Sequence, residues 1–505
     1  MLSTELVYVA AALFAVALIV RRRRVSATPL PPGPAGYPLI GNLLDWPFEH
    51  GWLTFHKWAQ KWGDIMYLEI FGLHIVILNS IETTQSLMSQ AMYSDRPPLM
   101  MVGQMMGFGP SIVLAPYGEH WKSMRRITQQ SLNRASSLQF LPSQLADTRM
   151  LLQQLLDTPE KYISNIRYAL GKNLIENTYG IKVDSPNSEF VKLSRETHEV
   201  IQNAVIPGSF FVDIFPSLKY VPSWFPGAGF KNLARIARGH GQHMVDGAFS
   251  AAKKSMVGAD AIPSLVGSLL NNNPTEMSRE DYEYIIKWAA GSLYGAGTES
   301  TVSGISTFFL MMATHPEVQA KAQAELDRVL GPGRLPTFED RASLPYLEAV
   351  IKEVLRFHPP TPLGIAHRLS EDDVVGGYHL PKGAIVLSNI WGMSMNPKHY
   401  PNPEKFDPER FTPWNPNPQL DPGTHVFGFG RRACLGVHYS TAAIYITVSN
   451  VLAAFNIKAQ DAKGVDVHVE PEFTGGFVSH PKTFPCRITP RSQAAVELVK
   501  AGALF

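Results

Sequence analysis

Phe427-Gly428-Phe429-Gly430-Arg431-Arg432-Ala433-Cys434-Leu435-Gly436 leads directly into an apolar stretch of helical character, Leu435 to Phe455. The order loop, cysteine, helix places Cys434 at a helix N-terminus. Free backbone N–H groups and the helix dipole stabilise an anionic sulfur there, so the position predicts a thiol shifted toward thiolate, the form that binds metal. Gly430 permits a tight turn, and Gly436, lacking a Cβ, lets the helix approach a flat ligand closely. Arg432 adds a cation for an anionic ligand group. Zinc and iron–sulfur sites take several Cys or His ligands, and no second cysteine or spaced histidine lies nearby. One thiolate in a glycine-rich loop therefore points to haem. By itself the pattern fits a buried, inert cysteine ahead of a helix equally well, because free cysteine is among the most buried residue types.

Working outward, Phe427-x-x-Gly430-x-Arg432-x-Cys434-x-Gly436 resembles the haem-ligand signature of the cytochrome P-450 superfamily. Three further signatures stand in that superfamily's order: Ala296-Gly297-Thr298-Glu299-Ser300-Thr301 in a long helical run, Glu353-x-x-Arg356, and Phe406-Asp407-Pro408-Glu409-Arg410-Phe411. Trp121-x-x-x-Arg125 is a fifth. The resemblance covers nearly the whole chain. It implies a mainly α fold with minor β sheets, a single prism-shaped catalytic domain behind an N-terminal membrane anchor. Dividing 505 residues by about 150 per domain suggests roughly three domains, but residues from 121 to 434 must meet at one haem.

The resemblance also assigns roles. Cys434 is the iron ligand of haem b (iron protoporphyrin IX), with Ala296, Phe427, Gly430 and Gly436 around the cofactor. Trp121, Arg125, Arg432 and His367 match positions that hydrogen-bond the haem propionates. Glu353, Arg356 and Arg410 form a structural trio that fastens the meander before the haem loop. Glu353 and Arg356, three apart, share a helical face, and an exposed pair at that spacing is worth only a few tenths of a kcal/mol. Glu299, Ser300 and Thr301 occupy the catalytic acid–alcohol position above the haem, where the family carries threonine and this chain carries Ser300. Serine keeps the hydroxyl and loses the methyl, so Ser300 is expected to relay protons. Thr301 falls on a different helical face, and Thr298 and Thr301 are expected to back-bond to carbonyls four residues earlier.

The substrate pocket implied by resemblance comprises Met100 to Gly109, Val205 to Phe211, Trp288 to Ala296, Leu363 to Ile365 and Thr474 to Phe477. These are mostly apolar and suit a lipophilic small molecule. Met100, Met101, Met105 and Met106 offer adaptable side chains toward it. Pro207 to Lys231 resembles fungal, especially basidiomycete, members of secondary metabolism, and terpenoid, indole and polyaromatic substrates all remain open. The leading reading is a monooxygenase fed by NADPH through a separate NADPH-cytochrome P-450 reductase, with cytochrome b5 as an optional further donor, because no G-x-G-x-x-G opens a βαβ unit. A reductase-independent haem-thiolate isomerase or dehydratase is the alternative, and a haem binder without turnover the third. Glu299 with Ser300 favours the first, since rearrangement needs no proton relay.

Composition agrees. Apolar residues make up 45% and charged residues 17%, an ordinary globular balance. Outside residues 1–24 the chain holds 41 basic against 42 acidic residues, which leaves no broad basic field and argues against nucleic acid. Two cysteines and no Asn-x-Ser/Thr sequon exclude a secreted, disulfide-stapled fold. Leu6 to Val20 is uniformly apolar, Glu5 precedes it and Arg21–Arg24 follow it. That polarity predicts a retained anchor over residues 1–24 in contact with membrane lipid, single-pass in the endoplasmic reticulum, with the catalytic domain facing the cytoplasm. Residues 25–41 hold five prolines and read as a stiff extended hinge, and residues 42–505 as the catalytic domain. Asp281 to Met312 and Glu317 to Leu330 are expected helices, and Tyr67 to Leu78, Gly383 to Asn389 and Cys486 to Thr489 expected strands.

Overall fold

The computed structural model describes residues 28–256, 262–272 and 277–502. Leu6–Val20 and Arg21–Arg24, the expected anchor, lie outside the described residues. Among those described, no helix is long and apolar enough to cross a membrane.

One helix of 36 residues, Arg279–Thr314, organises the fold. Ser278 caps it by accepting from the Asp281 N–H, and Glu280 and Asp281 face the positive end of the helix dipole. It stops at His315 because the residue before a proline is pushed out of the helical region, and Pro316 opens the next helix, Pro316–Leu330. Both match the expected runs within two residues.

Every residue of the central helix from Thr301 to Ala313 is buried. That half joins the helices Leu141–Asp157, Tyr162–Tyr179, Pro345–Phe357 and Val437–Ala454 in the larger apolar core. The first half, through Tyr282, Ile286 and Tyr294, belongs to a second core with Glu119–Leu132 and the segment around Met101 and Phe108. Ala296 belongs to neither. At that break between cores the helix faces a cavity.

Strands are few, so the fold is mainly α with minor β sheets. Ile65–Ile70 and Leu73–Leu78 form an antiparallel hairpin turned at Phe71 and Gly72, both at positive φ. Ile385–Ser388 runs parallel to the second strand and pairs antiparallel with His367–Arg368, which brings His367 to the cavity. Phe455–Lys458 pairs with Arg487–Pro490 in a separate ribbon. The proline-rich stretch is extended, yet it does not stand clear of the body. Pro32 O accepts from Tyr67 N–H at 3.0 Å and Pro29 O from His379 N–H at 2.7 Å, so the stretch lies along the sheets.

Candidate active site

The cysteine loop is closed by one backbone bond, Cys434 N–H to Phe427 O at 2.8 Å. Gly430 sits at φ 57°, and a Cβ there would lie 1.9 Å from Met88 O, so no side chain fits. Gly436 caps the helix Val437–Ala454. A Cβ on Gly436 would meet nothing closer than the Cys434 sulfur at 3.9 Å, which leaves the space beside the thiol open. Cys434 lines the internal cavity, open to that space and otherwise enclosed by protein. The expected lowering of its pKa is reversed. Burial pushes the thiol up, and the Gly436 N–H and Arg125 only partly offset it, because the helix proper begins at Val437 and leaves Cys434 outside the first turn. The free thiol keeps its proton until a metal cation displaces it.

One end of the cavity is cationic. Arg125 Nη1 donates to Ala433 O at 3.0 Å. Arg432 donates to Ser94 O, Ile112 O and Ala115 O at 2.8–3.2 Å, and its guanidinium lies 4.2 Å from the Trp121 ring. Trp121 Nε1–H goes to Ile112 O at 3.2 Å. His367 Nδ1 bonds Tyr93 O at 2.6 Å, and burial, reinforced by Arg96, holds it neutral. Arg96 escaped the sequence reading. Its guanidinium, 5% exposed, reaches Val113 O, Ile365 O and Ala366 O. Among the described residues, no carboxylate forms an ion pair with Arg96, Arg125 or Arg432, and burial pulls all three pKa values down, that of Arg432 to about 9. Arg96 is buried and Arg125 and Arg432 are half-buried, so holding three cations here with only Asp95 acting on them from a distance is costly. A ligand with carboxylates at this end and a metal above Cys434 satisfies both features, so the residues fit haem.

The opposite wall is the central helix, where Ala296, Glu299, Ser300 and Thr301 all line the cavity. Ser300 Oγ donates to Ala296 O at 2.9 Å, Thr301 Oγ1 to Gly297 O at 2.8 Å and Thr298 Oγ1 to Tyr294 O at 3.3 Å. The expected back bonds of Thr298 and Thr301 are present, Ser300 makes one too, and Ser300 and Thr301 both line the cavity. Glu299 is held from behind. Arg167, on the helix Tyr162–Tyr179, clamps it with Nε at 2.8 Å and Nη2 at 3.2 Å. His480 Nε2 lies 3.5 Å from the same carboxylate, and a ring nitrogen of His198 completes the cluster. Burial raises the Glu299 pKa, but Arg167 outweighs it and keeps the acid ionised, while burial pushes His480 down to about 4.

Behind the loop, the trio is fully buried. Arg356 grips Glu353 through Nε at 2.6 Å and Nη2 at 2.8 Å, both side chains at 0% exposure. Arg410 Nε stands 3.4 Å from Glu353, and Asp407 N–H donates to it at 2.7 Å. Arg356 and Arg410 both reach Lys405 O, which ties the meander to the helix Pro345–Phe357.

The cavity measures about 380 Å³, within the usual range for small-molecule sites. Val102, Phe108, Val205, Trp288, Ile365 and Phe477 represent all five expected segments on its wall. The methionines do not reach it: Met101 and Met106 are packed in the second core, with Met100 and Met105 against it.

This chain belongs to the cytochrome P-450 family, whose family model matches residues 31–486. It is 40% identical to the cytochrome P-450 monooxygenase claR of Ampulloclitocybe clavipes, over 93% of this chain and 88% of that one. Cytochrome P-450 monooxygenase 98 of Postia placenta is 39% identical over 99% and 98%. Tryptamine 4-monooxygenase of Psilocybe cyanescens is 37% identical over 94% and 96%. The protein is a monooxygenase of this family, and the family's cofactor is haem b, bound through a cysteine thiolate.

Proposed function

We propose that the protein inserts one atom of O2 into a lipophilic small molecule of fungal secondary metabolism, by hydroxylation or epoxidation, releasing the other atom as water. Electrons come from NADPH through a separate membrane reductase, with cytochrome b5 as an optional second donor. Haem supplies the redox chemistry, and thiolate ligation favours O–O cleavage. Cys434 would hold the iron, and Trp121, Arg125 and Arg432, joined by Arg96, would hold the propionates by exchanging backbone carbonyls for charged acceptors; His367, neutral with its Nδ1–H on Tyr93 O, keeps no proton for the role expected of it. Ser300 holds the proton at its Oγ, Ala296 leaves room beside it, and the apolar wall from Val102 to Phe477 excludes water.

The observation that carries this reading is Cys434 opening into a cavity whose one end holds three arginines without ion-pair partners. Cys434→Ser should abolish the red-shifted Soret band of the thiolate ferrous–CO complex, and Cys486→Ser should retain it. With a reductase and NADPH, a panel of terpenoids, indoles and polyaromatics should yield a product heavier by one oxygen. Rearranged products without reductase would refute the monooxygenase assignment.

We place the protein in the endoplasmic reticulum membrane, spanning it once through residues 1–24, with the catalytic domain in the cytoplasm. Exposed Leu39, Leu44 and Phe48 support a second lipid contact together with Phe211, Phe215, Tyr220, Trp224 and Phe225. Phe71 and Phe215, rings 5.0 Å apart, join the two regions.

A further inference from the structure

We infer that the cavity takes uncharged lipophilic substrates and rejects protonated amines, because its one carboxylate, Glu299, is already committed to Arg167. The inference rests on the monooxygenase reading above and names the substrate class for that site.

Among the described residues, Glu299 is the only acid lining the cavity. Both of its oxygens accept from Arg167, at 2.8 and 3.2 Å. His480, at 3.5 Å, and His198 close its remaining side. The side chain is 7% exposed, so little of the carboxylate is open to a ligand. Asp213, just beyond the expected substrate segment Val205 to Phe211, does not line the cavity and accepts from Met101 N–H at 2.8 Å.

The charge count elsewhere has the opposite sign. Arg96, Arg125 and Arg432 line the cavity, and none forms an ion pair among the described residues. Two haem propionates would neutralise two of these three charges, and Asp95, which acts on Arg96 and Arg432 without an ion pair to either, faces the third. An ammonium group entering this space therefore meets no free anion. It can enter uncharged instead, but an alkylamine of pKa about 10.4 is neutral in only about one part in 10³ at pH 7. An alcohol on the same skeleton carries no such penalty, and the polar wall groups Ser111, Asn177 and Gln202 suit a neutral hydroxyl.

The test is equilibrium binding, read as the ligand-induced shift of the haem absorption band of the holoenzyme at pH 7. Matched amine and alcohol pairs are compared, such as tryptamine and 3-(2-hydroxyethyl)indole, with terpenoid and polyaromatic pairs beside them. The alcohol should bind at least about tenfold tighter than its amine, up to about 10³-fold. Arg167→Lys, which keeps a cation on Glu299, should preserve the gap. Arg167→Gln, which frees the carboxylate, should narrow it by about tenfold or more. Alcohol affinity retained in Arg167→Gln guards against a misfolded variant. Equal binding of amine and alcohol by wild type, an unchanged gap in Arg167→Gln with its alcohol affinity intact, loss of the gap in Arg167→Lys, or no alcohol binding at all would overturn the inference. Failure of the underlying reading is seen separately, as absence of the thiolate ferrous–CO band before any ligand is added.

Discussion

Arg356→Leu should disable the protein without touching the cavity. The substitution removes two charge-assisted bonds to Glu353, at 2.6 and 2.8 Å, and the bonds to Ser394 O and Lys405 O. Glu353 is left fully buried, with only Arg410 Nε at 3.4 Å and the Asp407 N–H to offset its charge. Breaking a buried pair from one side costs about 3–5 kcal/mol, against about 0.2–1 kcal/mol for an exposed one. With a urea dependence of about 3 kcal/mol per molar or more for a chain this long, the larger figure corresponds to a midpoint lowered by up to about 1–1.7 M. A protein with a bound cofactor does not unfold in one step, so the quantity to follow is the urea concentration at which the thiolate ferrous–CO band is lost. Glu353→Leu combined with Arg356→Leu should recover part of the loss, because two apolar side chains leave no stranded charge. A single-variant midpoint within about 0.2 M of wild type would place the pair in the exposed class and refute the argument. So would a double variant that loses the full sum of its parts.

Other outcomes follow from single distances. Gly430→Ala should lower the ratio of haem to protein, since its Cβ would collide with Met88 O and its φ of 57° disfavours any side chain; full loading with an unchanged melt would contradict the loop geometry. Asp213→Asn should stabilise the protein at pH 7 and hardly at pH 4. Burial pushes the Asp213 carboxyl up to about 6 despite bonds from Met101 and Met100 N–H. A raised acid pKa gives the folded state more bound protons between about 4 and 6, so wild-type stability falls as pH rises through that window. Two pKa units set an upper limit of about 2.7 kcal/mol, and melts at the two pH values decide it. Ser300→Ala should release hydrogen peroxide while NADPH consumption continues, with product falling by up to about 10²–10⁴-fold. Thr301→Ala is the matched comparison, because Thr301 lines the same cavity and its hydroxyl makes the same kind of back bond; uncoupling in Thr301→Ala alone would move the relay one residue along.

What the sequence disclosed was whatever leaves a mark on residue type at short range. A backbone at positive φ against a carbonyl admits only glycine, so Gly430 was readable. A helix needs a stop, so His315-Pro316 marked the end of the central helix, while its Ser278 cap emerged only from the structure. Glu353 and Arg356 were readable because three residues apart is one helical face. The methionine run shows the limit of that logic. An apolar side chain looks the same in sequence whether it fills a core or faces a cavity, and Met101 and Met106 fill the core.

Electrostatics was the part least written locally, and the active site depends on it. The loop around Cys434 displays a helix end, which predicts a lowered thiol pKa, but the sign is set by how much protein surrounds the sulfur, and burial prevails. Arg96 stands in an unremarkable Asp-Arg-Pro-Pro run and acquires meaning only because its carbonyl partners include Ile365 and Ala366. Glu299 is the sharper case. The motif announces an acid above the haem, which suggests a charge available to protons and ligands. Its guanidinium partner lies 132 positions away on another helix, and its histidine neighbours come from two further segments. A carboxylate with no partner would draw cations into the cavity, whereas one clamped by Arg167 does not. The residue that decides whether an amine can enter is thus Arg167, which belongs to none of the family signatures.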